Sequence, residues 1–105
     1  MNIKMTVSAL ITAGLLLGAT QANALDGAHL YKTKTCFSCH GKDAKTPILP
    51  IYPKLAGQNA AYAAQQMKDI KSGARANGMS AAMKGVMHLV NDEEIQAIAD
   101  WLATL

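Results

Sequence analysis

The sequence predicts an all-α domain, on three observations. Asn91 and Glu94 are spaced as a capping box, and they open a run in which Ile95, Ile98, Trp101, Leu102 and Leu105 share one face. The segment 59–72 is rich in Ala, Gln, Met and Lys and meets Gly73, a residue suited to ending a helix. No stretch alternates apolar and polar residues with the period of a strand.

The chain has 105 residues, and residues 1–24 read as a signal peptide. Lys4 supplies a positive start, Val7 to Ala19 is an apolar and small run of 13 residues, and Ala22-Asn23-Ala24 is a small-x-small cleavage site before Leu25. That run is short of the roughly 20 residues that cross a bilayer. Export with cleavage is therefore expected, and no stable membrane insertion afterwards. Residues 25–105 then form one domain. Its aromatics are Tyr31, Phe37, Tyr52, Tyr62 and Trp101, few for a self-sufficient core, and a domain this small leans on a cofactor, metal or disulfide. Without Lys4, nine Lys and Arg face seven Asp and Glu, and no aromatic-basic interleaving of the kind that stacks bases is present. Nucleic acid is not an expected partner.

The elements follow in order. Asp26 can cap a short helix over 26–35, with Leu30 and Tyr31 as its apolar contacts. Pro47, Pro50 and Pro53 make 41–57 a loop, because prolines at that spacing starve both helix and sheet of donors. The loop still carries Ile48, Leu49, Ile51, Tyr52 and Leu55, so it must lie against an apolar partner. A helix over 59–72 stacks Tyr62, Gln66 and Ile70. The stretch 74–89 reads as less regular than its neighbours. The last helix, 91–104, carries Asp92 and Glu93 in its first turn, with Val90 and Ile95 at hydrophobic-staple positions.

Cys36-Phe37-Ser38-Cys39-His40 is the sharpest signal. Two cysteines separated by two residues and followed at once by histidine form the attachment pattern of c-type haem. The thiols join the two vinyl groups on one porphyrin edge, and the short turn aims the imidazole at the iron. A thioredoxin-like dithiol would want a βαβ setting. A zinc site would want a fourth ligand at metal-site spacing, and two cysteines with an adjacent histidine do not present themselves tetrahedrally. A plain disulfide is the third alternative, one that an exported compartment allows. No paired carboxylates, nucleophile triad or phosphate-cradling loop is visible, so enzymatic chemistry is not expected.

On these residues the chain resembles the class I cytochromes c, in particular small periplasmic monohaem proteins similar to the repeated domain of dihaem bacterial cytochromes. The resemblance covers residues 26–105. It runs through Gly27 and Tyr31, then Cys36, Cys39, His40 and Gly41, then Pro53-Lys54-Leu55-Ala56-Gly57-Gln58. It continues through Gly73-Ala74-Arg75 and the methionine-rich stretch to Asn91–Ile95 and Ala99–Leu102. It implies one covalent haem c, His40 as proximal ligand with its Nδ1 proton on the Pro53 carbonyl, and Gly27 meeting Trp101 where the first and last helices cross. It also implies electron transfer in the periplasm between membrane or soluble redox proteins, by a monomer or weak dimer. The chain departs from the family in lacking a long acidic or basic stripe.

The sixth iron ligand is open among Met79, Met83, Met87 and His88. Met83 is favoured, because similar small domains place the ligand seven residues before the apolar residue that precedes the last helix, here Val90. Lys84 and Gly85 are also expected to let the backbone turn away after it. Met67 is expected in the core and His29 at the surface. A gas-binding or sensor module, or a small haem peroxidase, is the alternative; each would need an open sixth position.

Overall fold

The computed structural model describes residues 25–105. The expected signal peptide, residues 1–24, and its cleavage point lie outside the described residues. Among those described, the chain forms five helices and no strand: α1 (Gly27–Thr33), α2 (Phe37–His40), α3 (Ala60–Ser72), α4 (Ser80–Met87) and α5 (Asp92–Leu102). The fold is all-α, with the Cys-x-x-Cys-His arrangement of class I cytochromes c.

Local chemistry sets the helix ends. The Asp26 carboxylate accepts from the His29 N–H at 3.1 Å and starts α1. The Asn59 side chain accepts from the Tyr62 N–H at 3.0 Å, and Gly73, at φ 92°, closes α3 in the left-handed region. The capping box on α5 is complete: Asn91 Oδ1 accepts from the Glu94 N–H, and Glu94 Oε1 accepts from the Asn91 N–H. The bond from the Asn91 N–H holds the Glu94 carboxyl below the ordinary carboxylate range, and Lys34 adds to the shift. Val90 and Ile95, the staple pair, are both fully buried.

The stretch 74–89 is less regular than its neighbours up to Gly78, at φ 56°, and then folds into α4. α3 turns Ala63, Ala64, Met67 and Ile70 into the core and leaves Tyr62 53% exposed. Leu105, expected on the apolar face of the last helix, is exposed, since α5 ends at Leu102 and the face stops there.

α5 is the centre of the packing. α1 and α3 both lie against it, and α4 packs on α3. The crossing of α1 and α5 is a backbone contact: a Cβ placed on Gly27 would fall on the Ala97 carbonyl oxygen and within 2.7 Å of Trp101 Cβ. Beside it the Tyr31 and Trp101 rings stand 5.0 Å apart, tilted by 49°, a geometry worth ~0.5–1.5 kcal/mol beyond burial. The obstacle at Gly27 is backbone and cannot rotate away, so Gly27→Ala must separate the helices. We expect a loss of about 1–3 kcal/mol in denaturant unfolding of the protein. An unchanged midpoint would contradict the contact.

Candidate functional site

The Cys-x-x-Cys-His motif spans the last turn before α2 and α2 itself. The Cys36 N–H donates to the Tyr31 carbonyl at 3.0 Å and the His40 N–H to the Cys36 carbonyl at 3.1 Å, so the motif grows directly out of α1. Both cysteines are free and half-buried. Burial pushes the Cys36 thiol up to about 11. That is opposite to the depressed pKa of a redox-active dithiol, and it argues against the thioredoxin-like reading.

His40 is buried, and its Nδ1 lies 2.8 Å from the Pro53 carbonyl oxygen. A carbonyl only accepts, so Nδ1 carries the proton and donates it. Burial lowers the His40 pKa, opposed in part by this hydrogen bond. The ring is therefore neutral near pH 7, and Nε2 presents a lone pair. This is the state in which imidazole ligates iron, with its orientation set by the partner on the other nitrogen.

The loop that delivers Pro53 is tied down at several points. Gly41 sits at φ 90°, and a Cβ there would strike the Thr46 carbonyl oxygen. Asp43 Oδ1 accepts from the N–H groups of Lys45 and Thr46 at 2.8 and 3.0 Å, bonds that lower its pKa. The Ile48 N–H donates to the Cys39 carbonyl at 3.1 Å, and the Ala44 carbonyl accepts from Leu55 and Ala56 at 2.9 and 3.0 Å. Ala44 is fully buried at φ 60°, a left-handed conformation unusual for alanine.

A haem fits these residues. Two thiols and a neutral imidazole come from one short segment. Beside them the loop leaves Ile48, Leu49 and Ile51 at 60%, 49% and 63% exposure, apolar surface that a large flat hydrophobic group would cover. Among the described residues no three His, Cys, Asp or Glu side chains are grouped to hold a metal ion. An iron that brings four porphyrin nitrogens needs only axial ligands from the protein.

The family model for cytochrome c matches residues 24–105. The chain belongs to the cytochrome c family. It is 38% identical over 101 residues to cytochrome c4 of Pseudomonas aeruginosa, covering 96% of this chain and 48% of that protein. It is 36% identical over 100 residues to the thiosulfate dehydrogenase electron acceptor of Stutzerimonas stutzeri, covering 89% and 44%. To cytochrome c-553 of Nitratidesulfovibrio vulgaris it is 33% identical over 95 residues, covering 90% and 91%. It thus spans about half the length of the first two and nearly all of the third. The family and the Cys36-x-x-Cys39-His40 motif give this cytochrome one covalent haem c.

The methionines of the distal stretch recur every fourth residue on α4, and their burial changes along it. Met87 is 2% exposed and belongs to the core cluster, Met83 is half-buried against that cluster, and Met79, at the N-cap, is 44% exposed. His88 and His29 are exposed, and Met67 is buried. Lys84 and Gly85 lie inside α4, so the backbone does not turn away after Met83 as the sequence suggested.

Tyr31 is a contributor that sequence reasoning left as an apolar contact. Its hydroxyl donates to the Gly41 carbonyl at 2.5 Å, and burial raises its pKa. The available signal was a tyrosine, rather than phenylalanine, five residues before the first cysteine. Tyr31→Phe leaves the Gly41 carbonyl without this donor, and we expect a loss of about 1–3 kcal/mol in denaturant unfolding. A variant as stable as the parent would show that water replaces the hydroxyl.

Proposed function

We propose that this cytochrome is a periplasmic one-electron carrier in which His40 and Met83 are the axial iron ligands and Cys36 and Cys39 hold the haem by thioether bonds. The observation that carries the reading is the neutral His40, its Nδ1 proton on the Pro53 carbonyl and its Nε2 lone pair free, beside two thiols in the same turn. When bound, the haem supplies an iron that cycles between ferrous and ferric states.

The chain's own residues act as fixed supports. Pro53 keeps the Nδ1 proton of His40 in place through its carbonyl and fixes the ring's orientation, while burial keeps the imidazole neutral. With the haem against them, the apolar loop residues would exclude water and favour a low local dielectric, which acts on the reduction potential. Met83 suits the sixth position because it lies between a neighbour committed to the core and one exposed to water, on a helix that fixes its backbone. Thioether ligation favours ferrous iron and raises the potential, which suits a carrier.

Several relatives are cytochromes by name, and the Stutzerimonas stutzeri relative is named as an electron acceptor of thiosulfate dehydrogenase. These names support donor and acceptor partners that are membrane or soluble redox proteins. No helix among the described residues is long and apolar enough to cross a membrane. We take the protein to act as a monomer or weak dimer.

Extraction with acidified organic solvent is expected to leave the haem on the chain, and a colourless chain would refute covalent attachment. For the sixth ligand, Met83→Ala and Met79→Ala are compared by the ferric absorbance band of Met–iron ligation. The band is expected to vanish in Met83→Ala and persist in Met79→Ala; the reverse would assign the ligand to Met79.

A further inference from the structure

Two lysines from different helices meet at the joint between α4 and α5. Lys34, the C-cap residue of α1 and two residues before Cys36, donates from Nζ to the Leu89 carbonyl at 2.8 Å. The same ammonium lies 3.5 Å from Glu94 Oε2, the capping-box carboxylate of α5. Lys71, in the last turn of α3, donates from Nζ to the Val90 carbonyl at 2.5 Å. The N–H groups of Leu89 and Val90 close the end of α4 on the carbonyls of Val86 and Met87 at 2.9 and 3.1 Å. Two consecutive peptide groups thus have all their polar atoms bound, each carbonyl by a full positive charge. Between them the Val90 side chain is plugged into the core.

α4 needs such a fixture. It is eight residues long, its helical contacts are to α3, and its N-terminal end follows a left-handed Gly78 with open space around it. Met83 lies six residues before Leu89, about 9 Å along the helix axis, so a tilt of about 15° at the joint moves it by about 2 Å. A movement of that size would break a bond to iron.

We propose that Lys34 and Lys71 are positioning residues for the distal side of the haem, holding α4 at its joint with α5 so that Met83 stays on the iron. Lys34 also ties that joint to the segment that anchors the haem through Cys36. The inference rests on Met83 being the sixth ligand. Neither lysine touches the haem or its ligands in this role; both act through the Leu89 and Val90 carbonyls.

The test uses the haem-loaded ferric protein and cyanide, which binds iron only when the sixth ligand has left. Lys34→Met and Lys71→Met are compared with Lys34→Arg and Lys71→Arg. Ile98→Val serves as a control that trims a buried residue of α5 with no hydrogen bond to the joint. We expect cyanide uptake to rise about tenfold in each Met variant, the effect of losing a charged hydrogen bond, and to stay near the parent rate in the Arg variants. Unchanged uptake in the Met variants, or an equal rise in Ile98→Val, overturns the proposal. Should Lys71→Met fail to fold, the Lys34 pair decides, since that side chain lies at the surface. Met83→Ala separates the two readings. If it loses the Met–iron band while the lysine variants take up cyanide at the parent rate, positioning alone fails. If it keeps the band, the ligand assignment fails whatever the lysine variants do.

Discussion

α1 and α5 cross with backbone against backbone at Gly27, and the site is hung from that crossing. The close approach puts Tyr31 between the helices and against Trp101, fully buried. From there its hydroxyl donates to the carbonyl of Gly41, the residue after His40. The Tyr31 carbonyl meanwhile accepts from Cys36. One residue thus fixes both ends of the haem-attachment motif, and it is placed by the absence of a side chain four positions earlier.

The other side of the histidine depends on a loop with little regular structure. The loop is nonetheless determined, because each change of direction has a specific cause: a glycine at positive φ, an aspartate accepting from two successive N–H groups, and a buried alanine whose carbonyl accepts two bonds. Together they deliver the Pro53 carbonyl to Nδ1. The apolar side chains of Ile48, Leu49 and Ile51 are left largely uncovered among the described residues, so for this loop fold and cofactor are one problem. An 81-residue body has few other places to find that apolar contact.

The sequence made the helix ends legible because capping is local. Asp26, Gly73 and the Asn91–Glu94 pair each act within a few residues, and the structure has all of them in the expected roles. The attachment motif was legible for the same reason, being five consecutive residues. The bounds of α4 were not legible: the stretch 74–89 read only as less regular than its neighbours, and the helix begins at Ser80, after Gly78, with Gly85 inside it and open space around that glycine. The stack of Tyr62, Gln66 and Ile70 did not by itself say which of its members faces the core; the structure buries Ile70 and leaves Tyr62 exposed. The Tyr31 hydroxyl had only its residue type as a signal, and its partner, like the bonds of the lysines at the α4–α5 joint, depends on tertiary placement.

With His40 and Met83 as proposed ligands, the iron of this cytochrome is closed on both sides, and carbon monoxide tests that closure most directly. The gas binds ferrous haem wherever a coordination position is open or weakly held. Mixed with the reduced protein at neutral pH, it should leave the absorbance spectrum unchanged. Prompt formation of a carbon monoxide complex would contradict the account and favour a gas-binding or peroxidase-like haem.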